Sequence, residues 1–195
     1  MTVRILTVCT GNICRSPYAE RVLAHRLEQV RRGTFDVTSA GTGALVGNAV
    51  DPGSARHLDS LGIQHSDFAA RQLSEQILGE VDLVIPLEVE HRKLVLSYAP
   101  RLLKRAYTLK ELARLIDSAE QVEPWSARLA GLTTPEERWA AIPQHLARER
   151  GRTHVEPGAD DVADPYRQSQ DKFDTMAREV DEAVERIVAL EAQFS

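Results

Sequence analysis

The sequence predicts an α/β fold in which a parallel sheet of four strands carries helices on both faces. Short apolar stretches alternate with longer segments whose apolar residues recur at helical spacing, which is typical of strand–helix–strand units. Ligands of such sheets bind beyond the carboxyl ends of the strands, and residues 9–17, an unusual polar stretch, directly follow the first apolar one. At 195 residues, of which 43% are hydrophobic, the chain is expected to form a single domain over residues 1–195.

Each element is predicted from its own pattern. The strands are expected at residues 3–8, 35–40, 81–86 and 106–107. The helices are expected at residues 17–31, from Asp51-Pro52 to a stop at Gly62, and at residues 74–78 and 87–98. Thr108-Leu109-Lys110-Glu111 reads as a capping box that opens a helix through Ile116. The closing helix has one apolar face, formed by Phe173, Met176, Val180, Val184, Ile187 and Leu190.

Residues 117–161 are predicted to form an inserted, mostly helical segment. It contains both tryptophans, and Thr134-Pro135-Glu136-Glu137 combines an N-cap, a first-turn proline and a capping box. Pro143 is expected to interrupt the helix that follows. Two roles remain open at this point: a cover over the ligand site, or a segment packed on the flank of the sheet.

Residues 9–17, Cys-Thr-Gly-Asn-Ile-Cys-Arg-Ser-Pro, carry the chemistry. The five residues between Cys9 and Arg15 can wrap so that their backbone N–H groups point inward, and the helix N-terminus behind them adds partial positive charge. The planar guanidinium of Arg15 suits two oxygens of a phosphate. These features favour a thiolate at Cys9, below a phosphate cradle formed by Thr10, Gly11, Asn12, Ile13, Cys14 and Arg15.

The alternative for Cys9 is a small buried hydrophobe, which is the commoner role of a cysteine at the end of an apolar strand. The neighbouring residues favour the functional interpretation. Ser16 and Pro17 fit an N-cap and the first helical position, while Gly11 and Asn12 tolerate the positive φ that a tight anion-binding loop requires. The stretch as a whole therefore indicates an anion site.

Cys9 to Glu20, C-T-G-N-I-C-R-S-P-Y-A-E, resembles the signature of the low-molecular-weight protein tyrosine phosphatases. Asp164-Pro165-Tyr166 and Ser39-Ala40-Gly41-Thr42 match two further segments of that family, and the resemblance covers about residues 3–115 and 160–190. It implies a flavodoxin-like fold with four parallel strands. It also implies hydrolysis of phosphate monoesters through a cysteinyl-phosphate.

The resemblance also implies residue roles. Cys9 would be the nucleophile, Arg15 would hold the equatorial oxygens, and Asp164 would be the general acid. Ser16 would donate its hydroxyl to the thiolate, and Ser39 would support Asn12 in bracing the loop. Spacing alone favours an Asx-Pro turn at Asp164 before Pro165, and only the resemblance favours the acid. Asp160 and Asp161 fit a solvated charge run.

Departures from the family bear on the substrate. Leu45 stands near the place where many members carry an aromatic residue at the mouth of the site, whereas Tyr166 keeps an aromatic wall. Phe68 replaces a supporting histidine ahead of Ala70-Arg71-Gln72. The predicted substrates are a phosphotyrosine protein or a small aryl phosphate.

Composition bounds the setting and the partners. The net charge of −5 argues against nucleic acid, no apolar run reaches the roughly 20 residues of a membrane span, and no signal peptide is visible, so a cytoplasmic location is expected. The six histidines show no metal-ligand spacing, and we expect neither a metal nor a cofactor. Two cysteines in such a chain indicate chemistry, and a Cys9–Cys14 disulfide formed by peroxide would require a thiol reductant. The alternative is that Cys14 only fills a small buried space.

Two other functions compete with hydrolysis. An arsenate reductase shares this fold and loop, but a relay through internal cysteines needs more thiols than Cys9 and Cys14, which leaves only a version that uses an external small thiol. A phosphate-recognition module without turnover is the other alternative. The presence of Cys9, Arg15 and Asp164 together argues against it.

Overall fold

The protein is described by a computed structural model that covers residues 2–153 and 155–194. Three parallel strands form its sheet: β1 (Val3–Cys9), β2 (Phe35–Gly41) and β3 (Leu83–Pro86). Their order is β2-β1-β3, so β1 is central. β2 aligns with β1 along its whole length, because Val3 pairs with Phe35 and Cys9 pairs with Gly41. The carboxyl ends of β1 and β2 therefore meet at one edge.

Eight α-helices connect and cover the strands in the described part of the chain. They are α1 (Arg15–Val30), α2 (Pro52–Ser60), α3 (Glu75–Gly79), α4 (Val89–Tyr98), α5 (Leu109–Val122), α6 (Trp125–Arg128), α7 (Pro135–Arg150) and α8 (Gln170–Ala192). A short 3₁₀ helix spans Pro100–Leu102. None of these helices is both long and apolar enough to cross a membrane.

Successive side chains along each strand point to opposite faces of the sheet, so the core is divided into two clusters, one on each face. In β1, Ile5 packs with the apolar sides of α1, α5 and α8, whereas Leu6 and Val8 pack on the opposite face with α3 and α4. The six residues predicted as the apolar face of the closing helix are all buried in the first of these clusters. The predicted layered architecture, with helices on both faces, is confirmed.

The predicted fourth strand is wrong. Ala106 makes a single parallel bridge with Val84, and Tyr107 donates its backbone N–H to the carbonyl of Val84 at 3.2 Å. Thr108 then caps α5 through the predicted capping box with Glu111, so the chain turns into a helix directly after the bridge. The helix leaves no residues to extend the strand, and the sheet has three strands among the residues that the structure describes.

Several element boundaries also differ from the prediction. The first helix begins at Arg15, so Ser16 lies inside its first turn and is not the N-cap. The Ser16 hydroxyl instead contacts the Cys9 sulfur at the candidate site. The helix α7 begins at the predicted capping box but continues through Pro143 to Arg150. Pro143 does not interrupt it because both sides of the turn are held by packing: Trp139 is buried, and Tyr107 donates its hydroxyl to the Pro143 carbonyl at 2.8 Å.

The segment 117–161 packs against one flank of the sheet and its amino-terminal edge. Trp139 stacks edge-on against Phe35, the first residue of β2, with ring centroids 5.6 Å apart. Trp125 is fully buried beside α5 and donates its indole N–H to the carbonyl of Ile116. These two tryptophan contacts lie away from the carboxyl ends of the strands.

Candidate active site

The carbonyl groups of the loop after β1 face outward and accept hydrogen bonds from neighbouring segments. The N–H groups of Thr42, Gly43 and Leu45 donate to the carbonyls of Cys9, Thr10 and Gly11 at 2.9, 3.0 and 2.9 Å. Further along, Asp51 N–H donates to the Ile13 carbonyl at 2.8 Å, and the Ser54 hydroxyl donates to the Cys14 carbonyl at 3.3 Å. In a planar trans peptide the next N–H points opposite the carbonyl, so the N–H groups of the loop face its interior.

Glycine at position 41 allows this close approach. A Cβ atom at Gly41 would collide with the carbonyl oxygen of Thr10. The end of β2 can therefore lie directly against the loop only because residue 41 lacks a side chain.

Asn12 braces the loop from within, and it is buried with φ of 55°. Its side-chain NH₂ group donates to the hydroxyls of Ser16 at 2.9 Å and Ser39 at 2.8 Å, and its Oδ1 accepts from the backbone N–H of Arg71 at 2.8 Å. These bonds use both N–H donors of the amide and hold the left-handed backbone conformation of Asn12. The predicted supporting residues Ser16 and Ser39 thus meet at this one amide.

The Cys9 thiol lies at the base of the loop, with only 2% of the residue exposed. Its Sγ is 3.0 Å from the Oγ of Ser16. Because Ser16 Oγ already accepts a hydrogen bond from Asn12, its own proton is available for the sulfur. The inward N–H groups and the N-terminus of α1 add partial positive charge around this sulfur.

Arg15 extends across the loop and is held between two carboxylates. One of its terminal nitrogens contacts Glu88, and the other lies 3.2 Å from Oδ2 of Asp164. The Arg15 side chain is buried, whereas the Asp164 side chain is 50% exposed. The cation is therefore anchored on its inner side, and its outer partner can exchange with an anion that enters from solvent.

The segment that carries Asp164 is tied to the carboxyl edge of the sheet. The Val162 N–H donates to the carbonyl of Leu87 at 2.8 Å, and Asp161 Oδ1 accepts from the Val89 N–H at 2.7 Å. Asp160 pairs with Arg114 at 2.9 Å. The expectation of a solvated charge run at residues 160 and 161 is therefore wrong, because both carboxylates anchor the segment.

These groups surround one open cavity of about 170 Å³. Its lining comprises Cys9, Thr10, Gly11, Ile13, Cys14, Arg15, Gly43, Leu45, Asp164 and Tyr166. Leu45 and Tyr166 are each 38% exposed, and Tyr166 follows a turn in which its N–H donates to Asp164 Oδ1 at 3.1 Å. The predicted nucleophile, arginine, acid and substrate-lining residues all meet here, and no described residue of the segment 117–161 lines this cavity.

Cys14 differs from Cys9 although both belong to the loop. Burial and then the nearby Asp51 carboxylate raise the pKa of the Cys14 thiol far above its ordinary value of 9.0. Cys14 therefore stays protonated at neutral pH. The two thiols are free in this structure.

Sequence reasoning missed two residues of the site, Glu88 and His91. Glu88 comes two residues after β3, so the rule that ligands gather at carboxyl ends of parallel strands could have identified it. His91 gave no such signal, because only the fold brings it to Thr10, with Nε2 2.8 Å from the Thr10 hydroxyl. In the described ranges, no group of three or more His, Cys, Asp and Glu side chains is arranged to hold a metal ion.

The family model for the low molecular weight phosphotyrosine protein phosphatases matches residues 4–127, which is more than half of the chain. The chain belongs to this family. The match includes the predicted phosphate loop, residues 9–15, and ends inside the segment 117–161, so Asp164 lies outside it.

Curated relatives of this chain carry the name of this family. The low molecular weight protein-tyrosine-phosphatase Wzb of Salmonella typhi is 37% identical over 99 residues, which are 51% of this chain and 63% of that protein. The probable low molecular weight protein-tyrosine-phosphatase EpsP of Ralstonia nicotianae is 34% identical over 112 residues, which are 57% of this chain and 74% of that protein. The chain thus spans less than two thirds of the Salmonella relative that it matches.

Among solved structures, the low molecular weight protein tyrosine phosphatase of T. tengcongensis has a TM-score of 0.68 at 23% identity, covering 96% of this chain and 99% of that one. The Erwinia amylovora tyrosine phosphatase AmsI has a TM-score of 0.66 at 24% identity, with coverage of 97% and 93%. At these identities the likeness establishes the fold.

Proposed function

We propose that this chain is a protein-tyrosine-phosphatase that acts without a metal ion. The observation that carries the proposal is the convergence on one cavity of the Cys9 sulfur, the Arg15 guanidinium and the Asp164 carboxylate. A nucleophile, a bidentate cation and an acid are the three groups that cleavage of a phosphate monoester requires.

In the first step, the Cys9 thiolate attacks phosphorus while the bond from phosphorus to the ester oxygen breaks. The loop N–H groups and Arg15 hold the three equatorial oxygens, and protonated Asp164 gives its proton to the leaving oxygen. In the second step, a water molecule loses a proton to the Asp164 carboxylate and attacks phosphorus. The sulfur–phosphorus bond breaks, and inorganic phosphate and the Cys9 thiolate result.

The contact between Arg15 and Asp164 fits this sequence of events. Without substrate, the half-exposed carboxylate occupies the outer side of the guanidinium. A phosphate that binds to Arg15 displaces it, and Asp164 is then free to reach the ester oxygen, which faces the mouth of the cavity. Binding of the substrate and positioning of the acid are thereby coupled.

The shape of the cavity favours an aryl phosphate. Cys9 lies at its base and is almost fully buried, so the phosphoryl group has to be carried on a side chain long enough to reach it. Leu45 and Tyr166 stand at the mouth, where a flat ring can pack between an aliphatic and an aromatic wall. Phosphotyrosine in a protein meets both requirements, and a small aryl phosphate meets them without the peptide.

We further propose that residues 117–161 are an insertion into a single phosphatase domain over residues 1–195. The segment buries Trp125 and Trp139 against the remainder of the chain, and none of its described residues lines the cavity. A cytoplasmic location is part of the same proposal, because two free cysteines are typical of a reducing compartment.

The test is hydrolysis of an aryl phosphate by the wild type and by Cys9→Ser, each with and without a chelator. We expect turnover that the chelator does not change and that Cys9→Ser removes, while inorganic phosphate still binds to the variant. A phosphoserine peptide of matched sequence should be a poor substrate beside the phosphotyrosine peptide. Turnover by Cys9→Ser would refute the mechanism, and binding without turnover by the wild type would favour the recognition module. Reduction of arsenate with a small thiol, in place of hydrolysis, would favour the reductase.

A further inference from the structure

His91 connects two parts of the site, and the mechanism above assigns it no role. It lies in the first turn of α4 and is 3% exposed. Its Nε2 is 2.8 Å from the hydroxyl oxygen of Thr10 and 3.6 Å from Oε2 of Glu88, the carboxylate that anchors Arg15. One imidazole thus touches the phosphate loop directly and its arginine through one intermediate residue.

The proton of the neutral imidazole can be assigned by elimination. Nδ1 of His91 is buried and has no hydrogen-bond partner within the described part of the chain. A proton on Nδ1 would create a buried donor without an acceptor, which is the rarer and costlier defect. A proton on Nε2 points instead at an oxygen of Thr10 with the Glu88 carboxylate nearby, and it leaves Nδ1 as an unpaired acceptor.

The charge state of His91 agrees with this assignment. Burial lowers the pKa of His91 below its ordinary value of 6.5, and the Arg15 cation acts in the same direction. The carboxylates that oppose the shift are those of Glu88, Asp164 and Asp161. The net shift is downward, so the ring is neutral at neutral pH and has a single proton to donate.

The consequence falls on Thr10. If His91 donates to its oxygen, the Thr10 hydroxyl accepts that bond, and its own proton is free for another acceptor. Thr10 is exposed and lines the cavity. We propose that His91 is a positioning residue that turns the Thr10 hydroxyl into a donor to the bound phosphoryl group, in addition to the loop N–H groups and Arg15. This inference rests on the proposed phosphate site.

A double-mutant cycle on the full chain tests it. Thr10→Val keeps the shape of the side chain and removes the hydroxyl, whereas Thr10→Ser keeps the hydroxyl. His91→Gln can place an amide N–H near the position of Nε2, but the shorter His91→Asn cannot. The readouts are kcat/KM for an aryl phosphate and the inhibition constants of vanadate and inorganic phosphate.

We expect Thr10→Val and His91→Asn each to weaken kcat/KM and vanadate binding by about 10- to 100-fold, the range for one hydrogen bond to a charged group. The double variant should lose no more than the larger single loss, since both substitutions act through the same bond from the Thr10 hydroxyl to the phosphoryl group. Thr10→Ser and His91→Gln should each recover most of the wild-type value. Additive losses, or unchanged vanadate binding in Thr10→Val, would overturn the inference.

Two controls keep the outcome decisive. Thr10 is exposed, so Thr10→Val and Thr10→Ser carry the test even if a His91 variant fails to fold. If the wild type binds phosphate but does not hydrolyse the ester, the proposed function fails, while the phosphate-binding constants still report on the hydroxyl. Equal phosphate binding by wild type and Thr10→Val would then refute the inference separately.

Discussion

The two ends of the sheet use the same chemical groups in opposite ways. At the carboxyl end, the buried Arg15 meets an Asp164 carboxylate whose side chain is 50% exposed. At the amino end, Arg138 pairs with Glu191 at 3.0 Å, and both side chains are at most 4% exposed. Glu191 also accepts from Arg31 Nε at 2.5 Å and from the Trp139 indole at 2.9 Å.

The comparison shows that exposure of the carboxylate decides what an arginine–carboxylate pair does. Glu191 is itself buried, so water and ligands cannot reach its carboxylate to replace the partners. Asp164 has one side in solvent, so a phosphate can take its place on Arg15. The first arrangement stabilises the fold, and the second leaves a cation available for binding.

The largest expected effect on activity is at the carboxyl end of the sheet, where a phosphate can replace Asp164 on Arg15. Asp164→Ala should slow cleavage by about 10²- to 10⁴-fold for esters with poor leaving groups, because their oxygen needs a proton in the transition state. Esters with good leaving groups should lose much less. A leaving-group series with wild type and variant measures this, and equal losses across the series would assign Asp164 a structural role only.

The next effect is at the buried end. Glu191→Ala should lower the free energy of unfolding by about 3–5 kcal/mol, because it leaves the Arg138 cation buried without its carboxylate. Activity per folded molecule should stay unchanged, since Glu191 is remote from the cavity. Urea unfolding and an active-site titration on the same samples separate the two quantities. A loss of activity with intact stability would contradict the division between the ends.

A smaller effect concerns Cys14, which lies in the phosphate loop but resembles a core residue. Its raised pKa means that above pH 9.0 the unfolded chain loses this proton while the folded protein keeps it. Stability should therefore fall as pH rises from about 9 to 10, by up to about 1.4 kcal/mol per unit. Chemical unfolding at several pH values should show a shallower decline for Cys14→Ser. The same slope in both proteins would argue that Cys14 is not the group responsible.

The smallest effect is expected at Arg167, next to the mouth of the cavity. Its φ of 59° is unfavourable for a residue with a Cβ atom. Arg167→Gly should raise the free energy of unfolding by about 0.5–1 kcal/mol, after the entropy of glycine is counted. Arg167→Ala keeps the strain and should show no gain, so it is the matched control in thermal unfolding. Equal stabilisation by both variants would point to the side chain and not to the backbone.

Much of the fold could be predicted because its signals are local. The capping boxes at Thr108 and Thr134 and the apolar face of α8 depend on residues close in sequence, and each was confirmed. The fourth strand was wrong because a cap at Thr108 begins a helix directly after one bridge with Val84. Helix α7 continues through Pro143 because tertiary packing, which no local pattern shows, holds the turn together.

The residues of the site likewise fall into two groups: those that a local sequence pattern predicts and those whose contacts depend on tertiary packing. The loop from Cys9 to Arg15 is contiguous, so its chemistry was visible in the sequence, and the structure brings Asp164 to it as expected. Glu88 and His91 reach the loop from 73 and 81 residues away, so their contacts depend on the packing of β3 and α4 beside β1. The anchoring of residues 160 and 161 depends likewise on contacts with Arg114 and the first turn of α4.

The most direct measurement is a search for phosphate bound covalently to Cys9. Asp164→Ala, mixed rapidly with an aryl phosphate that has a good leaving group and then quenched in acid, should accumulate the intermediate, because formation needs little protonation and hydrolysis needs the missing base. Mass spectrometry of the digested protein should find one phosphoryl group on the peptide that contains Cys9. Continued turnover with the phosphoryl group on another residue, or with no phosphorylated peptide at any quench time, would contradict the proposed mechanism.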